Sequence, residues 1–62
     1  MTKQARNLKF GDVVLNKTVD YVWVEGGKTN PASTAEAEIH FVNGSVLKVG
    51  ARTRLAENGR MD

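Results

Sequence analysis

The chain contains no cysteine, so neither a disulfide nor a thiolate metal site can staple it. Its single histidine has no carboxylate obviously placed to orient it, so nucleophilic catalysis finds no support and no catalytic residue is assigned. Apolar runs never exceed three residues, at 13–15 and 22–24. A membrane-crossing helix needs about 20, so no membrane role is expected. Residues 1–11 are polar and basic without an apolar stretch. They do not read as a signal peptide, and a cytoplasmic location is expected. Sixty-two residues also leave little interior. A chain of this mass folds to roughly 4,000 Å² of surface and buries only about 60% of what it exposes when open. A pocket for a small-molecule substrate or a cofactor is not expected.

What is present is enough for a fold. Valine, leucine, isoleucine and phenylalanine make up 15 of 62 residues, above the range where disorder becomes the default. Net charge is only +2, but it is unevenly spread. Lys3, Arg6 and Lys9 make residues 1–11 purely basic, residues 12–38 carry five acids against two lysines, and basic residues return after 39. Basic ends can meet phosphate, or complement the acidic middle within the fold.

Strand signals dominate. Residues 1–7 lack periodicity and are expected to form a flexible basic tail. Residues 8–12 read as an entry turn anchored by Phe10, residues 13–16 as a first strand, and the next turn as centred on Lys17 and Thr18. Residues 19–25 are dense in β-formers and give the clearest strand. Residues 26–31 (Gly-Gly-Lys-Thr-Asn-Pro) form a loop on turn chemistry alone. In residues 35–42, Ala35, Ala37, Ile39 and Phe41 alternate with Glu36, Glu38 and His40, which is period two. A helix competes there, through the Ser33/Glu36 capping pattern, but Asn43-Gly44 stops the run too soon.

Asn43-Gly44 marks a hairpin. A two-residue turn would set Lys48 opposite the core-facing Ile39. A turn with a glycine bulge at Gly44 instead pairs Ile39 with Leu47, Ala37 with Val49 and Glu38 with Lys48, which separates a dry face from a wet one. Residues 46–49 are then a strand, 50–53 a tight turn, 54–56 a short closing strand and 57–62 a tail. The expected class is all-β: a small barrel of about five short antiparallel strands over residues 8–56, closed or nearly closed, since closure hides sheet edges.

The residues Phe10-Gly11-Asp12-Val13-Val14, the valine-rich second strand, Ile39-His40-Phe41-Val42-Asn43-Gly44-Ser45, Leu47-Lys48-Val49 and the turn before Leu55 resemble the pattern of SH3-like barrels of the KOW and Tudor-like type. The resemblance implies the barrel fold and hardly bears on function. Residues 26–34 are longer than the matching loop of the tighter members.

Gly26-Gly27-Lys28-Thr29 mimics the end of a phosphate-binding loop. The required first glycine, however, falls on Val22, and Pro31 blocks the helix that must follow. Glu36, Glu38 and His40 share a strand face about 7 Å apart, too far to share one metal ion, so no metal site is assigned. If Val22 and Val24 fill the interior, Val19, Tyr21 and Trp23 face outward; if the strand is turned over, Trp23 is core. Outward aromatics stack nucleobases or anchor a protein. With Lys48, Arg52 and Arg54 they define a candidate DNA- or RNA-binding face of low sequence specificity, the first expectation for function. With Val13 and Leu15 they define the alternative, a protein partner or homodimer, such as a small inhibitor or adaptor of a larger bacterial or phage assembly. Val13, Val14 and Leu15 are consecutive, so either Val14 or the Val13/Leu15 pair must face outward.

Overall fold

A computed structural model describes residues 2–56 of the chain. Along it run β1 (Thr2–Gln4), a 3-10 turn (Ala5–Asn7), β2 (Val13–Val14), β3 (Lys17–Val24), β4 (Glu36–Phe41), β5 (Val46–Gly50) and β6 (Arg54–Ala56). All pairings are antiparallel. Strands β2-β3-β4-β5 form one sheet, strongly curled into a half-barrel, and β1-β6 form a second. The radius of gyration, 10.6 Å, is that of a compact globule of this length, roughly 11 Å. The accessible surface of 4102 Å² agrees with the size scaling.

Strand β4 organises the sheet. Its alternation holds: Ala35, Ala37, Ile39 and Phe41 are buried, while Glu36, Glu38 and His40 point to the other face. The hairpin into β5 takes the bulged register, pairing Ala37 with Val49, Glu38 with Lys48 and Ile39 with Leu47. Gly44 sits at φ 92°, a left-handed position that glycine adopts without strain. The Gly44 N–H donates to the Phe41 carbonyl at 3.0 Å, and the Phe41 N–H to that of Ser45 at 2.9 Å. Asn43 Oδ1 accepts from both the Ser45 N–H and its hydroxyl, so the turn is fastened by its own side chains.

Strand β3 departs from simple alternation. Val19 pairs with Phe41, but Tyr21 pairs with His40, so the register slips at Asp20. This is a β-bulge, and it resets which residues face inward. Val19 was expected outward with Tyr21 and Trp23; it is instead fully buried, alongside Val22 and Val24. The extra residue lets all three valines reach the core while both aromatics stay outside.

Residues 1–7 were read as a tail without periodicity; among the described residues, Thr2–Gln4 instead form a strand. Strand β1 pairs with β6, matching Thr2 with Ala56 and Gln4 with Arg54. The Ala5 and Arg6 N–H groups donate to the carbonyls of Thr53 (2.7 Å) and Ala51 (3.0 Å). Their sequence carries no strand signal because the pairing partner is about fifty residues away, and a long-range ladder leaves little local trace. The anchor of the entry turn is Leu8, fully buried, whereas Phe10 is 73% exposed. Residues 57–62, read as a tail, lie outside the described residues.

The first hairpin also turns earlier than expected. Val14 pairs with Lys17, so the turn is Leu15-Asn16, with φ of 53° and 61°. Positive φ at both central residues is the mirror-image turn that matches strand twist. Asparagine tolerates it, but leucine is strained there. Of the consecutive apolar residues, Val14 is buried, and Val13 and Leu15 are half-buried.

The core joins both sheets: Ala5, Leu8, Val14, Val19, Val22, Val24, Ala35, Ala37, Ile39, Phe41 and Ala51, with Leu47, Val49 and Leu55 packed against it. Four of these are alanines, which lets the layers approach closely and the sheet curl. The loop after β3 is held from outside. Arg6 donates to the Lys28 and Thr29 carbonyls, Arg52 to that of Pro31 at 2.8 Å, and Pro31 is buried. The loop thus presents carbonyl oxygens to cations, the reverse of a phosphate cradle.

Asp12 clamps the other end. Its Oδ2 lies 3.2 Å from Lys3 Nζ and accepts the Lys9 N–H at 3.1 Å. Burial raises its pKa, but the Lys9 amide, the Lys3 hydrogen bond and the charges of Lys3 and Lys9 together outweigh burial and leave it below the ordinary value. A lowered pKa means the folded state disfavours protonation of Asp12, so its stabilisation is complete above about pH 4 and fades as pH falls through the lowered value. Asp12→Asn should cost about 1–2 kcal/mol at neutral pH. Denaturant curves of the two proteins should converge as pH falls below about 4; a constant gap would remove the carboxylate from the account. Leu15→Asn should raise stability by about 0.5–1 kcal/mol by relieving the left-handed strain, while Leu15→Val should lower it. A lower denaturation midpoint for Leu15→Asn would mean that leucine contacts outweigh the strain.

Candidate functional site

The outer face of β3, β4 and β5 carries the most distinctive chemistry. Residues directly opposite in an antiparallel sheet point to the same side. Tyr21 opposes His40 and Trp23 opposes Glu38 on one flank of β4; Val46 opposes His40 and Lys48 opposes Glu38 on the other. These six side chains therefore form three rows on one surface. Tyr21 is 53% exposed and Trp23 52%. The reading that buries Val22 and Val24 and turns both aromatics outward is the one found.

The Tyr21 and His40 rings stack at 4.3 Å with only 9° between their planes. His40 Nε2 lies 3.2 Å from Glu38 Oε1 and donates to it when the ring carries its proton there. The chain of contacts runs Tyr21–His40–Glu38, with Trp23 across from the carboxylate. Together the four line an open concavity of about 310 Å³. Glu38 was expected to pair with Lys48 across strands. The register does bring them opposite, but the carboxylate turns to His40, and Lys48 makes no ion pair with a described residue.

The remaining expected site residues lie elsewhere. Arg52 belongs to the turn after β5, with its guanidinium on the Pro31 carbonyl. Arg54 is on β6 in the other sheet, 3.4 Å from Thr2 Oγ1. Lys48 alone of the three cations shares the aromatic face. Val13 and Leu15 are half-buried at β2, an edge of the curled sheet. Among the described residues no three His, Asp or Glu side chains converge as metal ligands. In their place the face gains Glu38 and His40, which sequence reasoning left as solvated strand residues. Their outward direction follows from the period of β4. Their union with Tyr21 and Trp23 follows from the bulge at Asp20, whose trace in the sequence is a lone acid breaking a run of β-formers.

Three of the five large apolar side chains left exposed among the described residues, Tyr21, Trp23 and Val46, belong to this face; the others are Phe10 and Val42, the latter in the turn after β4.

Because Trp23 is half in water, its emission should be red-shifted and readily quenched by acrylamide. Trp23→Ala should cost under about 1 kcal/mol, against about 2–5 kcal/mol for Ile39→Ala in the core. A blue-shifted, protected Trp23 would contradict the outward face.

Protein-family models, curated proteins and solved structures, each compared with the chain, give no match. The functional reading of this face therefore rests on its geometry.

Proposed function

We propose that this chain is a non-catalytic binding module, an SH3-like barrel of the KOW or Tudor-like kind, that docks a protein partner on the outer face of β3, β4 and β5. The observation that carries the proposal is the gathering of Tyr21, Trp23 and Val46, all exposed, on one sheet face. Contiguous apolar surface on a small protein is costly unless a partner covers it, and tyrosine and tryptophan are favoured anchors in such contacts. The curled sheet and the bulged β4–β5 hairpin support the barrel assignment.

Charge favours protein over nucleic acid. Glu36 and Glu38 stand in the central row of the face, and Arg52 and Arg54 are engaged away from it. A phosphate backbone would meet carboxylates where it needs cations. The nucleic-acid reading keeps the Tyr21–His40 stack as a platform and Lys48 as its one cation on this face; it is the other outcome of the test.

The test is to select displayed peptides on the protein, counter-select on Trp23→Ala, and map binding by amide chemical shifts beside a short mixed-sequence DNA and its RNA counterpart. Selected peptides should shift Tyr21, Trp23 and Val46, and lose no more than about threefold in affinity from low to moderate salt. DNA and RNA should leave these signals in place. Shifts at Tyr21, Trp23 and Lys48 with DNA or RNA that fade steeply with salt would replace the proposal with a nucleic-acid platform.

A further inference from the structure

The four-stranded sheet ends in β2 on one side and β5 on the other, and the two edges differ. Strand β2 is only two residues long, too short to template another strand. Strand β5 runs five residues and pairs only with β4 among the described residues. Its bonds to β4 fall on the odd positions: at one end the Phe41 N–H donates to the Ser45 carbonyl (2.9 Å), and at the other the Ala51 N–H donates to the Ala35 carbonyl (2.9 Å). Hydrogen-bonded and non-bonded positions alternate along an antiparallel pair. The N–H and C=O groups of Val46 and Lys48 therefore point away from the sheet. Within β5 there is no proline and no register shift, and Lys48 is its only charge. These are the devices that usually blunt an edge. Val46 is 47% exposed, and Leu47 and Val49 are only half-buried.

We infer that β5 pairs with β5 of a second copy of this chain, antiparallel about a two-fold axis. Outward groups meet outward groups only where even positions oppose even positions. Lys48 directly opposite Lys48 of the second copy sets like charges together. A slide one way sets Lys48 against Gly50, whose carbonyl already accepts the Thr53 N–H at 3.0 Å. A slide of two residues the other way sets Val46 opposite Lys48 of the second copy, and Lys48 opposite its Val46. Each such pair exchanges both ladder bonds, about four in all. Leu47 then meets Leu47 of the second copy on the axis, which covers a side chain packed on the core but only half-buried. Each lysine keeps Glu38 opposite it within its own chain and lays its apolar stem along a valine. The backbone groups accept any strand; the lone charge and the leucine on the axis single out a copy of β5. The two sheets become one, with both aromatic faces on the same side. The inference concerns the edge of the sheet and does not rest on the docking reading. The contact is short, so the dimer is weak.

The experiment is sedimentation velocity of the full chain from about 10 µM to about 1 mM, beside amide hydrogen exchange over the same range. A dimer should form with a Kd of about 10–300 µM, and exchange at the Val46 and Lys48 amides should slow as concentration rises. Two charge variants test the register. Val46→Lys sets a lysine opposite Lys48 of the second copy and should weaken the dimer by about tenfold. Val46→Glu sets a carboxylate there and should tighten it by about threefold. Position 46 faces water, so both variants should keep the barrel, which their amide spectra check. Adding Lys48→Glu to Val46→Lys should restore the dimer. A chain that stays monomeric at about 1 mM, assemblies that grow beyond a dimer, or a dimer indifferent to both charges would overturn the inference.

Discussion

The bulge at Asp20 is the constraint on which the rest of this molecule depends. Strand β3 carries Val19, Val22 and Val24, and strict alternation cannot bury all three, because 19 and 22 differ in parity. Without an extra residue, either Val19 would face water or the pair Val22/Val24 would. The slip between Val19 and Tyr21 resolves the conflict. Its cost is one unpaired position; its gain is a continuous core and an outer face that carries both large aromatics. The Tyr21–His40 stack and the opposition of Trp23 to Glu38 are consequences of that one irregularity.

The core that the bulge completes is narrow: alanines contribute four of its eleven buried apolar positions. Two ties distant in sequence bind the half-barrel to the rest: β1 pairs with β6, and Arg6 and Arg52 hold the loop after β3 through its carbonyl oxygens. The basic residues at the two ends thus complement oxygen-rich segments in the middle. Lys3 on Asp12 is the same device at the opposite strand end. Charge that the composition leaves available for phosphate is in large part used to hold the fold.

That use of charge bears on function. With Arg52 and Arg54 engaged elsewhere, the outer face is aromatic, aliphatic and locally acidic. On the proposed reading, such a surface suits a protein partner better than a phosphate backbone. The strain at Leu15 stands apart from this face. It lies at the edge hairpin, where a leucine occupies a left-handed position that asparagine or glycine would fill more easily.

The sequence by itself determined the all-β class, the alternation of β4 and the bulged hairpin at Gly44, and left the outward direction of Tyr21 and Trp23 as one of two readings. Each depends on neighbours within a few residues, where period-two patterning and turn chemistry act directly. Tertiary structure alone decided the rest. The ordering of residues 2–7, the exchange of Phe10 for Leu8 as anchor and the separation of Arg52 and Arg54 from the aromatics all depend on contacts between distant segments. So does the union of Tyr21, Trp23, Glu38 and His40, which requires a register between β3 and β4 across the whole loop. A register of that kind is fixed by which valines can be buried together, a property of the packed core rather than of any local stretch.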